Sequence, residues 1–157
     1  MISVIIPCFQ HQAIVHNAVR SAVNQTYADI EIIVVDDGST PPVGNDFGDS
    51  RVRVIRHRKN LGLSNALNTG IRHSDSDRFI ILAADDELVP DCLELMRQYT
   101  SADIVSCDMR VGSDVVKNKP GSLTELIEHN CHSYAALVQK VMWQKTGGFK
   151  VAMNPSW

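Results

Sequence analysis

Two kinds of apolar pattern alternate along this chain. Short, continuous runs of β-branched residues predict buried strands, whereas apolar residues that recur every three or four positions predict amphipathic helices. The predicted strands cover residues 3–6, 31–35, 51–55, 78–83, 103–111 and 134–138. The predicted helices cover residues 11–24, 63–71, 122–128 and 140–146, and another begins at Pro90, which suits a first helical turn.

The order of these elements indicates the fold class. The chain opens with strand, helix and strand, and a connection of this length between two strands predicts a right-handed parallel crossover. The second strand, residues 31–35, is almost continuously apolar, which is typical of a sheet covered on both faces. We therefore expect an α/β domain with a mostly parallel sheet, and a length of 157 residues predicts a single domain.

Composition and charge limit the kinds of ligand and cellular location that we expect. A net charge of −3 argues against nucleic acid as the main ligand. No apolar run approaches the ~20 residues of a membrane helix, and no secretory signal precedes residue 3, so we expect no transmembrane segment and a cytoplasmic location. The four cysteines are too widely spaced for a zinc site and are expected to be reduced thiols. They are Cys8, Cys92, Cys107 and Cys131.

Three of the predicted strands are followed by short motifs that break the apolar pattern. Residues 7–9 (Pro-Cys-Phe) follow the first strand, residues 36–39 (Asp-Asp-Gly-Ser) follow the second, and residues 85–86 (Asp-Asp) follow the fourth. In open parallel sheets, ligands bind beyond the carboxyl ends of the strands. Clustered carboxylates are costly unless a cation or hydrogen-bond donors satisfy them. The sequence therefore predicts a ligand site at this edge.

Each of these features also has a simpler interpretation. Phe9 would then be a core residue, residues 36–39 would form only a turn, and residues 85–87 would form a solvated acidic loop. A basic run at residues 51–59 either meets an anion such as a diphosphate or lies on a solvent-facing strand edge. Its alternation with valines favours the strand edge.

Several segments, in this order and spacing, resemble the family 2 glycosyltransferases of the GT-A fold. They are residues 3–9, 22–27, 31–39, 60–64, 68–70, 84–86, 90–91 and 147–149. The resemblance spans nearly the whole chain. It implies a Rossmann-like three-layer α/β/α domain. It also implies an enzyme that binds a nucleoside diphosphate sugar, expected to be a UDP-sugar, and transfers the sugar to a hydroxyl with inversion.

The resemblance also implies roles for individual residues. Phe9 would stack on the base, Asp37 would accept a hydrogen bond from it, and Asp85 would hold the ribose. Asp86 would bind Mg²⁺ or Mn²⁺, which neutralises charge as the nucleoside diphosphate departs. The nucleotide-binding residues expected in this way are Pro7, Phe9, Asp37, Asn60, Gly62 and Asp85, and the metal ligand is Asp86.

The chain departs from the family pattern at three places. Ala83 stands where the acidic motif often has an Asp, and Leu67 stands where an Arg is common. The carboxylate that deprotonates the acceptor would lie beyond Trp157, so no catalytic residue is predicted. Residues 1–157 are expected to form one domain that binds the nucleotide sugar, with the C-terminal acceptor part missing. These departures leave an alternative, a non-catalytic or degenerate domain that binds a sugar nucleotide without forming a glycoside.

The resemblance names the donor class but not the acceptor. A glycan or a lipid-linked glycan is expected, and a lipid-linked acceptor would place the protein at the inner membrane face. Neither the donor sugar nor the oligomeric state follows from these residues.

Overall fold

The computed structural model describes residues 1–117 and 135–150, which form eight strands and four helices. The strands are β1 (Ile2–Cys8), β2 (Ile30–Asp36), β3 (Val52–Arg56), β4 (Arg78–Ile81), β5 (Ile104–Ser106), β6 (Met109–Val111), β7 (Asp114–Val116) and β8 (Ala136–Gln139). The helices are α1 (Val15–Val23), α2 (Leu63–Arg72), α3 (Cys92–Met96) and α4 (Lys140–Thr146). Within this part of the chain, no helix is long and apolar enough to cross a membrane.

Six of the strands form one mostly parallel sheet in the order β3-β2-β1-β4-β8-β5. β1 pairs in parallel with both β2 and β4, and β2 pairs in parallel with β3. β8 runs antiparallel to both of its neighbours. The chain moves outward from β1 through β2 to β3 and then crosses back to β4. The strand order therefore reverses between β1 and β4, which is the point where open α/β sheets bind ligands.

Helices cover both faces of the sheet, because successive side chains of each strand point to opposite faces. On one face, Val4 and Ile6 of β1 belong to a buried cluster with α1 and α3. On the other face, Ile5 packs with α2 and with Trp143 of α4. α2 lies especially close to the sheet at Gly70, where a Cβ atom would be 2.5 Å from Ile5 Cγ2. The α/β architecture with three layers agrees with the prediction.

The strand predicted over residues 103–111 is wrong as one element. Residues 104–106 pair with β8 in the main sheet, whereas residues 109–111 leave that sheet and pair with β7 in a separate hairpin. The hairpin loop holds Gly112 with φ 60°, a conformation that glycine adopts readily. The Gly-Ser pair at this loop is a recognised two-residue hairpin signal that periodicity alone does not reveal.

Other predicted elements differ mainly at their ends. α1 begins four residues later than predicted, because residues 11–14 form turns before the helix. β4 ends at Ile81 rather than at residue 83, so Ala83 belongs to the loop that follows it. The helix predicted over residues 122–128 lies outside the described residues, as does Cys131. Cys8 and Cys92 carry free thiols.

Candidate functional site

A cavity of about 420 Å³ opens at the carboxyl ends of β1, β2 and β4, beside the point where the strand order reverses. Three strand ends and the start of α2 therefore supply its walls. The lining residues are Pro7, Cys8, Phe9, His11, Asp37, Asn60, Gly62, Leu63, Ala66, Ala83, Ala84 and Asp85. The six residues predicted to bind the nucleotide are all among them.

The first aspartate after β2 organises the turn rather than the cavity. Asp36 is fully buried, and its carboxylate accepts hydrogen bonds from the amides of Ser39 (2.8 Å) and Val43 (3.1 Å). Arg56 of the neighbouring strand donates to the same carboxylate at 2.7 Å. The turn interpretation therefore holds for Asp36, whose negative charge is fully engaged by the protein.

The second aspartate, Asp37, lies at the cavity wall and connects β2 to the loop before α2. Its Oδ1 accepts from Leu61 N at 2.9 Å and contacts His57 Nδ1 at 2.7 Å. Its Oδ2 accepts from Gly62 N at 2.8 Å. An ionised carboxylate offers about four lone-pair sites, so Oδ2 retains capacity for one more donor.

Gly38 explains why two motifs that are distant in sequence form one unit. Its φ is +81°, and a Cβ atom at this position would be 2.5 Å from Lys59 C and 2.6 Å from Asn60 N. The turn after β2 therefore packs directly on the backbone of the loop at residues 59–62. Any side chain at Gly38 would push that loop, and the amides it presents to Asp37, out of place.

Phe9 is not a core residue, because 43% of it is exposed at the cavity. The next residue, Gln10, has φ 58°, which is uncommon for a residue other than glycine. Its amide donates to Ser39 Oγ at 3.0 Å, so the turn after β2 also holds the turn after β1. An exposed aromatic ring held by a constrained backbone is suited to stacking on a planar ligand.

The two carboxylates after β4 repel one another. Burial, and then the negative charge of Asp85, raise the pKa of Asp86. Bringing a cation close would favour both ionised forms. Among residues 1–117 and 135–150, these two carboxylates belong to no group of three or more His, Cys, Asp or Glu side chains that could hold a metal. Mg²⁺ in phosphate-binding sites is usually held by one or two carboxylates together with phosphate oxygens, so this donor set fits a metal that binds with a phosphorylated ligand.

Comparison with known proteins identifies the family. A model of the family described as Glycosyl transferase family 2 matches residues 3–151. The chain belongs to this family.

Relatives by sequence are glycosyltransferases of longer length. An uncharacterized glycosyltransferase of Haemophilus influenzae is 32% identical over 104 residues, which is 63% of this chain and 32% of the relative. An uncharacterized glycosyltransferase of Rickettsia prowazekii is 27% identical over 179 residues, which is 98% of this chain and 55% of the relative. The chain thus spans about half, or less, of the length of these proteins.

Solved structures give the same fold at low identity. S. aureus TarS in complex with UDP-GlcNAc has a TM-score of 0.72 at 16% identity, covering 93% of this chain and 47% of that one. A mannosyltransferase from Pyrobaculum calidifontis, solved with GDP-Man and Mn²⁺, has a TM-score of 0.72 at 19% identity, covering 96% and 48%. The predicted GT-A fold is therefore confirmed.

A second cavity of about 330 Å³ adjoins the first, and Asp85 borders both. Asp86 lines only the second cavity, together with Glu87, Cys107 and Arg110. The predicted metal ligand therefore lies just past the boundary between the two spaces. The residues predicted to bind the nucleotide all line the first cavity.

The two departures from the family pattern have different structural outcomes. Ala83 lines the first cavity, where it adds an apolar surface in place of a carboxylate. Leu67 points into the core between α2 and the sheet and is 6% exposed. The arginine expected at that position is thus replaced by a packing residue.

The basic run lies on an edge strand, as its alternation predicts, since β3 is the last strand of the sheet. Three of its arginines pair with acids of the protein: Arg51 with Asp49, Arg53 with Glu31 and Arg56 with Asp36. His57 was missed by sequence reasoning, because its charged neighbours suggested a surface position. Its side chain is only 11% exposed and contacts Asp37.

The Gly-Gly-Phe segment is held by Asn68 of α2. Asn68 Oδ1 accepts from Phe149 N and from Trp143 Nε1, both at 2.9 Å, and Asn68 Nδ2 donates to Phe149 O at 2.8 Å. Gly148 has φ +82°, and a Cβ atom there would be 2.8 Å from Asn68 Oδ1. Two of the segments that resemble the family are therefore one hydrogen-bonded unit.

Proposed function

We propose that the first cavity binds the nucleoside diphosphate of a sugar donor, and that the whole protein transfers the sugar to an acceptor hydroxyl with inversion. The observation that carries the proposal is the meeting of Phe9, Asp37 and Asp85 around one cavity at the strand-order reversal. An exposed ring, a carboxylate acceptor and a second carboxylate are the partners that a base, its ring N–H and a ribose require.

The base is expected to be one that carries a ring N–H group. Asp37 is an acceptor when ionised, and Oδ2 accepts a single hydrogen bond from the protein. Uracil, thymine and guanine present a ring N–H to such an acceptor, whereas cytosine and adenine do not. We propose a uridine nucleotide, stacked on Phe9, as the donor. The TarS structure holds UDP-GlcNAc and the archaeal enzyme holds GDP-Man, both of which carry bases of this kind.

The diphosphate is proposed to lie over the boundary between the cavities, with Asp86 holding Mn²⁺ or Mg²⁺ and Asp85 holding the ribose. The archaeal neighbour was solved with Mn²⁺. When bound, the metal would neutralise the charge that develops on the departing diphosphate. Asp86 would be ionised to hold it, so metal binding is expected to weaken as the pH falls through the pKa of Asp86, which burial and Asp85 raise.

Inverting transfer needs a carboxylate that accepts the proton of the acceptor hydroxyl as the hydroxyl attacks the anomeric carbon. None of the described residues in the first cavity is assigned this role, because the carboxylates there, Asp37 and Asp85, are committed to the nucleotide. The part of the protein that follows residues 147–149 is proposed to supply this base. The hydrogen bonds between Asn68 and the backbone of Phe149 would then set where that part of the chain starts relative to the donor.

Calorimetric titration of UDP, GDP, CDP and ADP, each with and without Mn²⁺, tests the proposal. UDP is expected to bind with a Kd at least about tenfold lower in the presence of Mn²⁺, and CDP and ADP to bind more weakly than UDP. Asp86→Asn should remove the effect of Mn²⁺. Asp46→Asn is the matched control, because Asp46 is exposed, lines neither cavity and accepts a hydrogen bond from Gly48 N in its own loop.

Failure of all four nucleotides to bind a folded sample would overturn the donor-site proposal. Binding that is unchanged in Asp86→Asn would overturn the metal assignment alone. A glycoside-forming assay on the full-length protein separates a transferase from a domain that only binds its nucleotide.

A further inference from the structure

His57 bridges the donor cavity and helix α2. Its Nδ1 lies 2.7 Å from Asp37 Oδ1, and its Nε2 lies 3.0 Å from Thr69 Oγ1. The backbone amide of His57 donates to Asp36 O at 2.8 Å, which continues the pairing of β3 with β2. The ring is therefore fixed at both nitrogens and at its backbone, in a position where 11% of the side chain is exposed.

These contacts determine where the proton of the neutral ring lies. An ionised carboxylate is an acceptor only, so the nitrogen that faces Asp37 must carry a hydrogen. Nε2 of the neutral ring is then an acceptor, and the hydroxyl of Thr69 donates to it. The opposite tautomer would place a lone pair of Nδ1 against the carboxylate. The order of donation is thus Thr69 hydroxyl to His57, and His57 to Asp37.

We propose that His57, supported by Thr69, is a positioning residue for the donor base. His57 and the Leu61 amide both donate to Oδ1 of Asp37, so Oδ2 is the atom left to accept a ring N–H from the nucleotide. This inference rests on the proposed function of the cavity. His57 itself does not line the cavity and is not a catalytic residue.

The position of His57 supports an orienting role. Asp37 is 3% exposed at its side chain, and a carboxylate in such a place depends on its donors for orientation. The two amide donors, Leu61 N and Gly62 N, come from one loop and would move with it. His57 is the donor from a different element, the end of β3, and Thr69 ties it to α2. The carboxylate is therefore held from two directions.

Two substitutions separate orientation from packing. In His57→Asn, the amide nitrogen can take the place of Nδ1 and donate to Asp37, whereas His57→Leu keeps an apolar side chain of similar bulk without a donor. UDP is expected to bind His57→Leu about tenfold more weakly than wild type, which is the order expected from loss of one hydrogen bond to a charged group. His57→Asn should bind within about threefold of wild type. His73→Asn is the matched control, because His73 is exposed at the end of α2 and outside the cavity.

The ring tautomer gives a readout that needs no ligand. Long-range ¹H–¹⁵N spectra of the imidazoles, recorded at a pH where His57 is neutral, are expected to show a protonated Nδ1 and an unprotonated Nε2. A neutral His57 that is protonated at Nε2 would overturn the proposal. If His57→Leu does not fold, Thr69→Val takes its place, with weaker UDP binding expected because the ring loses one of its two supports.

The outcomes distinguish this inference from the function on which it rests. If wild type binds no nucleoside diphosphate, the proposed function fails, and the positioning role fails with it even when the tautomer is as expected. If wild type binds UDP and His57→Leu binds it equally well, the donor site stands and the positioning role is overturned. Weak binding by His57→Leu together with recovery in His57→Asn supports both.

Discussion

Replacing Gly38 by alanine tests whether the turn after β2 and the loop at residues 59–62 form one unit. Gly38 and Gly48 both have positive φ values, +81° and +70°. A Cβ atom at Gly38 would be 2.5–2.8 Å from the backbone of Lys59 and Asn60, whereas a Cβ atom at Gly48 would have nothing within 4 Å. Both substitutions therefore place an alanine in a left-handed conformation, but only Gly38→Ala also brings a methyl group against neighbouring backbone atoms.

The difference sets the expected magnitudes. A left-handed conformation costs an alanine roughly 1–2 kcal/mol, and loss of the flexible glycine from the unfolded chain offsets about 0.4–1 kcal/mol of this. Gly48→Ala should therefore lower the free energy of unfolding by about 1 kcal/mol. Gly38→Ala adds an overpacking cost of roughly 1–3 kcal/mol, because backbone atoms cannot swing aside as a flexible side chain does. Its total is about 2–4 kcal/mol.

Urea denaturation of wild type, Gly38→Ala and Gly48→Ala measures this difference directly, provided that the slope with denaturant is the same for all three. Gly38→Ala should also weaken nucleotide binding, since the displaced loop carries the two amides that hold Asp37. Equal free energies of unfolding for the two variants, within about 0.5 kcal/mol, would refute the close approach of the two segments.

Three further substitutions test the packing and the charges. Gly70→Ala should destabilise the fold by about 1–3 kcal/mol in urea denaturation, because its methyl group would meet Ile5 Cγ2 at 2.5 Å; an unchanged midpoint would contradict the close helix–sheet contact. Asp36→Asn should destabilise by about 2 kcal/mol, because a buried charged acceptor of two amides and an arginine is lost; an effect below about 0.5 kcal/mol would contradict its role in the turn. The side-chain hydrogen bond from Arg51 lowers the pKa of Asp49 from 3.8 to about 2, so its stabilisation is present above pH 3.8 and is lost as the pH falls through about 2. Asp49→Asn should therefore flatten the acid loss of unfolding free energy over that window, and an identical pH profile in both proteins would contradict the shift.

The apolar pattern was sufficient for β1 and β2 because these strands are buried on both faces. Residues 3–6 and 31–35 are continuous apolar runs, and the structure places them side by side in parallel. The same reasoning located the cavity, since the carboxyl ends of parallel strands meet at one edge. It failed at residues 103–111, because an apolar run does not reveal where a strand leaves one sheet and joins another.

His57 shows a second limit. Its neighbours in sequence, Arg56 and Arg58, suggested an exposed strand edge, and the strand is indeed an edge. The ring turns inward only because Asp37 and Thr69, which are 20 and 12 residues away in the chain, lie on either side of it. Such a partnership depends on how β2 and α2 pack, and no local pattern encodes it.

The different roles of Asp36 and Asp37 also depend on how distant parts of the chain pack. The two residues are adjacent and chemically identical, yet Asp36 binds the turn and Arg56, whereas Asp37 faces the loop before α2. Alternation along a strand predicts that neighbours point to opposite sides. Which side holds the cavity is decided by the topology of the sheet.

We propose that a nucleoside diphosphate binds at the carboxyl ends of β1, β2 and β4. Backbone ¹H–¹⁵N spectra of the protein during titration with UDP and Mg²⁺ test it residue by residue. The largest shifts are expected on the amides of Phe9, Asp37, Gly62 and Asp85, while Gly48, which lines neither cavity, should be unaffected. Saturating UDP that leaves these four amides unchanged, or that shifts a different surface instead, would contradict it.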